Sequence, residues 1–493
     1  MINTYETLQK IVELHAARNF RDAEILCQQI LEKEPDNADA NHFLGVIAYE
    51  VGNFRAARDY LEKAVALNPD NPSCYLNMGN LVHAEGKFEE SMEWYEKAII
   101  FNYADNKKAH NNIGVALTRL GRLDEAIEKL KKAIEMDPQY FEAHNNIGET
   151  YKYLGMYEKA LESCEMAIHL SPDFVPARWN RSMLFLLKGM FRQGWNEYEW
   201  RWKREQTPKR KIDAGERWEG QPFHGKTLFV YEEQGMGDTI QFMRYLPFVQ
   251  KLGGSVIFEV VPPLVRLVEQ FKGFDRLWVG QKNVDTRPVD RFDYHFPLLS
   301  LPGLFNTTLE NIPGENPYLY ADGELVRIWK ARIRSENDFK IGIVWAGHPE
   351  HTNDPNRSVS LSAFSALKEV GGLKLISLQK EKYEKWTDVD PKEIFDRDLG
   401  EEISDFADTA AIIENLDLVI SVDTAIVHLA GALGKEVWTL LPFSPDWRWM
   451  IDREDSPWYP AMRLFRQPAP GDWSSVFKKV GKNLLKRLKQ KTQ

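Results

Sequence analysis

The stretch Tyr231 to Asp238, YEEQGMGD, follows the apolar run KTLFV with no helical period between them. A strand that ends in carboxylates and glycines and turns into a helix at Asp238 sets an acid at a strand-to-helix junction. Such an acid has two uses: it caps the helix by accepting from the first free N–H groups, or it takes a proton from a substrate hydroxyl. Gly235 and Gly237 would permit positive φ and let a substrate lie close to the backbone. A second junction, DLVISVDTAIVHLAGALGK, turns sharply at Asp423 and Thr424 and carries His428 near the start of the next helix. The free N–H groups and positive dipole end of such a helix suit a diphosphate, and His428 either donates to a phosphate or packs. The loop GHPEHTNDPNRS offers His348 and Arg357, and Lys380 follows LISLQ. A third set is different in kind. Asn77, Asn112, Asn146 and Asn180 return at one position of a repeating pattern. A carboxamide has donors and an acceptor that can grip an extended peptide backbone whatever its side chains, or bond to its neighbours in the array.

Composition narrows the partners. The 493 residues exceed what one core serves, so two or three domains are expected. A net charge of −10 argues against a generic nucleic-acid binder. Cys27, Cys74 and Cys164 are too scattered for a disulfide framework or a zinc cluster and read as reduced packing residues. Asp388 to Asp390, DVD, is a triplet expected by chance among 73 acidic residues and is given no role, so no metal and no cofactor are expected. There is no P-loop, paired CxxC or nucleophile elbow. No run of about 18 apolar residues and no secretory leader are visible, which points to the cytoplasm.

The first two hundred residues repeat with a period of about 34, that of a helix–turn–helix solenoid. Gly45, Gly79, Gly114 and Gly148 share one position of the first helix, where a missing side chain admits the second. Ala57, Ala126 and Ala160, with Ser91, hold the matching small position, and Pro69, Pro138 and Pro172 stop the second helix. These residues resemble tetratricopeptide repeats over about residues 4 to 205. The resemblance puts the asparagines on the helix lining the concave side, and similar ladders mark the repeat superhelix of O-linked N-acetylglucosamine transferases.

Beyond the aromatic stretch GWNEYEWRWKREQTPKRKIDAGERWEGQPF the period changes. TLFVY, SVIFEVV, KIGIVWAG, LKLISLQ, DLVISVD and EVWTLLP are short apolar runs of the kind covered on both faces. Helical stretches DTIQFMRYLPFVQKLG, SLSAFSALKEV and TAAIIENL lie between several of them, implying parallel sheets with helices on both faces. Two doubly wound halves, bridged near 322–339, would enclose a cleft at the carboxyl ends of their strands.

EEQGMGDTIQFMRYLP, GIVWAGHPEHTNDPNRSVSL, LISLQK, DTAAIIENLDLVISVDTAIVHLAGALGKEVW and DWRW together look like the glycosyltransferase domain related to lipopolysaccharide heptosyltransferases (glycosyltransferase family 9-like). That resemblance covers roughly 216–480 and implies a GT-B fold with inverting, metal-independent transfer from a nucleotide-sugar donor. It makes Asp238 the general base and Asp423, Thr424 and His428 the donor turn, with Arg357, Lys380, Gly235 and Gly237 also on the donor side. The expected organisation is therefore an all-α solenoid over 1–205, an acceptor-side half over 206–335 and a donor-side half over 336–493. The expected acceptor is a protein held at Asn77, Asn112, Asn146 and Asn180. A lipid or oligosaccharide acceptor with the repeats as a docking module is the alternative, and an inactive scaffold is another. The tail SSVFKKVGKNLLKRLKQKTQ, with Val476, Val480, Leu484 and Leu488 four apart, is an amphipathic basic helix. It is expected to pack on a sheet, with weak peripheral contact to an anionic membrane as the alternative.

Overall fold

The computed structural model describes residues 3–101, 106–204, 212, 214–280, 291–333, 338–351, 353–368 and 370–491. The chain forms two compact units, 1–180 and 181–493. Helices come in pairs: α1 (Thr4–Ala16) with α2 (Phe20–Leu31), α3 (Ala38–Glu50) with α4 (Phe54–Leu67), α5 (Pro72–Ala84) with α6 (Phe88–Phe101), α7 (Lys107–Arg119) with α8 (Leu123–Met136), α9 (Phe141–Tyr153) with α10 (Tyr157–Leu170), and α11 (Val175–Leu187) with α12 (Phe191–Tyr198). The division between the units falls inside α11, after Asn180.

The repeat chemistry sets the pairing. A Cβ on Gly114 would lie 2.5 Å from Leu130 Cγ, and one on Gly45 2.6 Å from Leu61 Cγ, so these positions accept nothing larger than hydrogen. Ala57, Ser91, Ala126 and Ala160 are fully buried opposite them. Between the helices of a pair, Gly52, Gly86, Gly121 and Gly155 take φ of 70–80°, the left-handed turn that ends the first helix. First helices of successive pairs also touch, α3 with α5, α5 with α7 and α7 with α9.

The second unit holds two parallel sheets. The first has the order β1 (Glu216–Arg217), β5 (Tyr294–Pro297), β2 (Thr227–Tyr231), β3 (Ser255–Val260), β4 (Arg276–Val279). The other runs β11 (Met462–Arg466), β10 (Val437–Leu441), β9 (Leu418–Val422), β6 (Phe339–Val344), β7 (Leu373–Ser377), β8 (Arg397–Asp398). β6 and β9 are neighbours, Val344 opposite Ser421, although the chain passes through β7 and β8 between them. Their carboxyl ends therefore flank a switch point, the usual place for a ligand crevice in such sheets.

Two expectations need correction. The helix after β2, α13 (Met236–Phe242), begins at Met236 rather than Asp238, because Gly235 rather than Asp238 is its N-cap. The stretch expected as one helix through Gly253 is broken, since Pro247 has no N–H for a continuing helix and starts a new short one at Leu246–Gln250. The terminal helix Trp473–Lys491 spends its apolar face on the second sheet: Val476, Val480 and Leu484 are buried with Phe364 and Phe465. That packing is the one expected of the tail, and no helix among the described residues is long and apolar enough to cross a membrane.

The glycine contacts give opposite expectations for two helical sites. Gly114→Ala should destabilise the solenoid by about 1–3 kcal/mol through overpacking on Leu130, whereas Gly481→Ala, with open space around it, should stabilise by about 0.5–1 kcal/mol through helix propensity. Thermal melts followed by circular dichroism check both signs. Equal shifts at the two sites would remove the packing argument.

Candidate functional site

β2 delivers its chain into a loop whose acids are already engaged. Glu233 takes two hydrogen bonds from the buried Arg201, at 2.7 and 2.9 Å, and one from Leu299 N–H. Burial pushes its carboxyl up and Arg201 pulls it back. This acid fixes the loop on the segment that follows α12. Asp238, third residue of α13, reaches back with Oδ2 to Gly235 N–H at 2.8 Å, satisfying one of the free donors at the helix start. Its other oxygen accepts from Arg448 Nη2. The carboxylate remains 18% exposed.

Gly235 and Gly237 do not take the positive φ expected of them. Gly235 is extended, with φ −90° and ψ 161°, and Gly237 is not among the positive-φ residues. Their smallness serves packing: a Cβ on Gly235 would meet Asp238 Oδ2 at 3.0 Å, and one on Gly237 would meet His428 Cδ2 at 2.9 Å and Ala425 Cα at 3.2 Å. Gly237 thus brings α13 against the helix Ala425–Ala432, which follows β9.

That second helix start is capped by Thr424, whose Oγ1 accepts from Ile426 N–H at 3.3 Å. Arg357, arriving from the loop after β6, donates to the carbonyl of Asp423 at 3.1 Å, as the β6–β9 adjacency requires. The carboxyl of Asp423 is pushed up to about 6, first by burial and then by Asp446, with Arg357 opposing. His428 is 5% exposed, stacks on Trp449 with ring centroids 5.3 Å apart and sits 3.0 Å from the Tyr459 hydroxyl. Burial, then Arg448 and Arg244, drives its imidazole well down, so it is neutral near pH 7. Lys380 stands apart, exposed and donating to Ser404 O at 2.6 Å. The DVD acids are structural: Asp388 accepts from Ser362 and Asp390 caps a short helix. Among the described residues no three His, Cys, Asp or Glu side chains could hold a metal ion.

The structure adds Arg448 and Asp446. Arg448 Nη1 donates to Asp446 at 2.8 Å, Nε to Gln241 at 2.7 Å and Nη2 to Asp238, joining the turn before Trp449 to α13. The stretch DWRW carried the signal, without its partner.

In the repeat unit the four asparagines bond along the solenoid. Asn112 donates to Asn80 and Asn146 to Asn111, each at 2.9 Å, Asn180 donates to Asn145 at 2.9 Å, and Asn77 lies 2.7 Å from His42 Nε2. Asn111 and Asn145 are buried beneath them. Each of the four spends one of its two N–H donors on the preceding repeat, so the recurrence has an inter-repeat role of its own.

Family models described as tetratricopeptide repeats match residues 44–107, 114–155 and 141–174. Protein FlbA of Caulobacter vibrioides is 27% identical over 325 residues, covering 60% of this chain and 52% of that protein. The chain thus spans about half the length of this curated relative. Among solved structures, YrrB, described as a TPR protein with an unusual peptide-binding site, is 26% identical with a TM-score of 0.29, over 35% of this chain and 88% of that one. PilW, a type IV pilus biogenesis factor, is 17% identical with a TM-score of 0.38, over 41% and 94%. The chain accordingly carries tetratricopeptide repeats ahead of a part built on parallel sheets.

Asp423 gives a pH test. The folded carboxyl keeps its proton up to about 6, whereas the unfolded chain releases it near 3.8. Ionised Asp423 therefore costs stability that is absent at the lower value and fully present above the higher one. Asp423→Asn should raise the melting temperature at about pH 8 and lose that advantage on acidification to about pH 4. The same gain at both pH values would show that the carboxyl is not held up in the fold.

Proposed function

We propose that this chain is an inverting, metal-independent glycosyltransferase of GT-B architecture that moves a sugar from a nucleotide-sugar donor to a protein side chain engaged by the repeats. One observation carries the reading: the carboxylate at the head of α13 is hydrogen-bonded to a guanidinium anchored beside the start of the helix Ala425–Ala432. A proton acceptor and an anion-binding turn are adjacent.

In this reading the acceptor hydroxyl attacks the anomeric carbon from the face opposite the diphosphate, and Asp238 takes its proton. The carbon–oxygen bond to the nucleoside diphosphate breaks with its electron pair, inverting the centre. The charge on the leaving group is met by free N–H groups at the Ala425–Ala432 helix start and by Arg357 and Arg448. The repeats are protein-binding modules, which favours a protein acceptor, and a nucleotide-sugar donor favours the cytoplasm. The asparagine bonds within the solenoid favour a second reading, in which the repeats only dock the enzyme and the acceptor is a lipid or oligosaccharide.

Incubation with labelled UDP-, GDP- and ADP-sugars and a cell lysate tests the reading. Label should enter protein, and Asp238→Asn should cut transfer by about 10² to 10⁴. Label in lipid would select the second reading; neither transfer nor donor hydrolysis with any sugar would leave a scaffold.

The ladder is tested by replacing Asn77, Asn112, Asn146 and Asn180 together by Ala. Transfer to protein should collapse while donor hydrolysis persists. The melting temperature should also fall, because lost bonds of about 1 kcal/mol each leave buried Asn111 and Asn145 oxygens without donors. Normal transfer by this variant would place acceptor binding on another surface.

A further inference from the structure

Arg448 belongs to no expected site, yet its position is closely fixed. Its guanidinium lies over Trp447, 4.4 Å from the ring centroid, and bonds to Asp446, Gln241 and Asp238. Its charge also reaches Asp423 and His428 at the head of the Ala425–Ala432 helix. We infer that Arg448 is a binding residue for the donor diphosphate and that it reaches the phosphate oxygens by giving up Asp238, which frees that carboxylate to face the acceptor hydroxyl. This inference rests on the glycosyltransferase reading.

Three features support the exchange. Around the two helix starts stand four carboxylates, Asp238, Asp354, Asp423 and Asp446, and three guanidinium groups, Arg244, Arg357 and Arg448. A diphosphate entering there adds negative charge, so it binds only where a cation changes partners. Arg448 can do so without leaving its anchor, because the bonds to Asp446 and Gln241 and the Trp447 ring hold the guanidinium in place while the Nη2 N–H groups change acceptor. Asp238 can lose Arg448 without drifting, because Gly235 N–H holds its other oxygen. Arg357 is a poorer candidate for the exchange, since its bond to the turn goes to a backbone carbonyl and the acid it faces, Asp354 at 3.7 Å, lies on its own short helix and not at the head of α13. The consequence is an order of events: the base is exposed only after the donor has arrived.

The test is a double-mutant cycle on the full chain, with inorganic pyrophosphate as the probe and calorimetry as the readout. D238N should bind pyrophosphate at least about threefold more tightly than the wild type, because the competing carboxylate is gone, and R448K should bind about tenfold more weakly. In the R448K background the gain from D238N should disappear. A gain of the same size in both backgrounds reports simple removal of a negative charge and overturns the exchange, as does the absence of any gain. If R448K fails to fold, R448Q, which keeps a donor for Asp238, replaces it in the cycle. Wild-type protein that binds no pyrophosphate would sink the donor-site reading and the exchange with it; binding with an additive cycle sinks the exchange alone.

Discussion

Gly237 is the point through which the second unit is organised. With hydrogen as its side chain, α13 approaches the Ala425–Ala432 helix until the space for a Cβ is already filled by His428 and Ala425. The heads of two helices, each following a central strand of a different parallel sheet, are thereby brought together. The seam around them is aromatic. Phe242 stacks near Trp447, Trp447 meets Trp195 edge-on at 5.3 Å, and Phe191 stacks on Trp458. Arg244 runs through the same seam, buried, donating to Trp458 O at 2.9 Å and Tyr318 Oη at 3.1 Å between the rings of Tyr318 and Tyr459. A guanidinium has enough donors to satisfy carbonyls from separate segments at once, and its weak hydration makes burial against aromatic faces tolerable. Lysine at this position would offer neither property.

Much of this was legible in the sequence because buried parallel strands advertise themselves. β2, β3, β6, β7, β9 and β10 are continuous apolar runs, as coverage on both faces demands. β1 and β8 have two residues each, and β4 has exposed ends, so no such run marks them. The glycines were legible as small but not as to why. Strand-to-helix glycines suggest a ligand close to the backbone, whereas here the close neighbour is a helix 188 to 191 positions later in the chain, His428 and Ala425 against Gly237. Local sequence cannot contain that fact. For the same reason DWRW was visible as a motif while its partner, Asp238, was not: the hydrogen bond spans 210 positions. The asparagine recurrence was plain, and its bonds follow from Asn80, Asn111 and Asn145 lying within three positions of the repeated sites.

The charges at the two helix starts are in competition, and this shapes the chemistry proposed for them. A helix N-terminus favours an anion, and Asp423 stands at one. Yet burial and the neighbouring Asp446 push its carboxyl up to about 6, so the dipole does not win. Two anions cannot share one poorly hydrated helix start without a further cation or a proton. A diphosphate placed there adds to the charges already acting on Asp423 and moves its carboxyl further toward the protonated form. Donor binding would then take up a proton in the range just above 6, at the same turn where Arg357 bonds the Asp423 carbonyl. The acid at this turn is thus suited to yield its charge to a ligand.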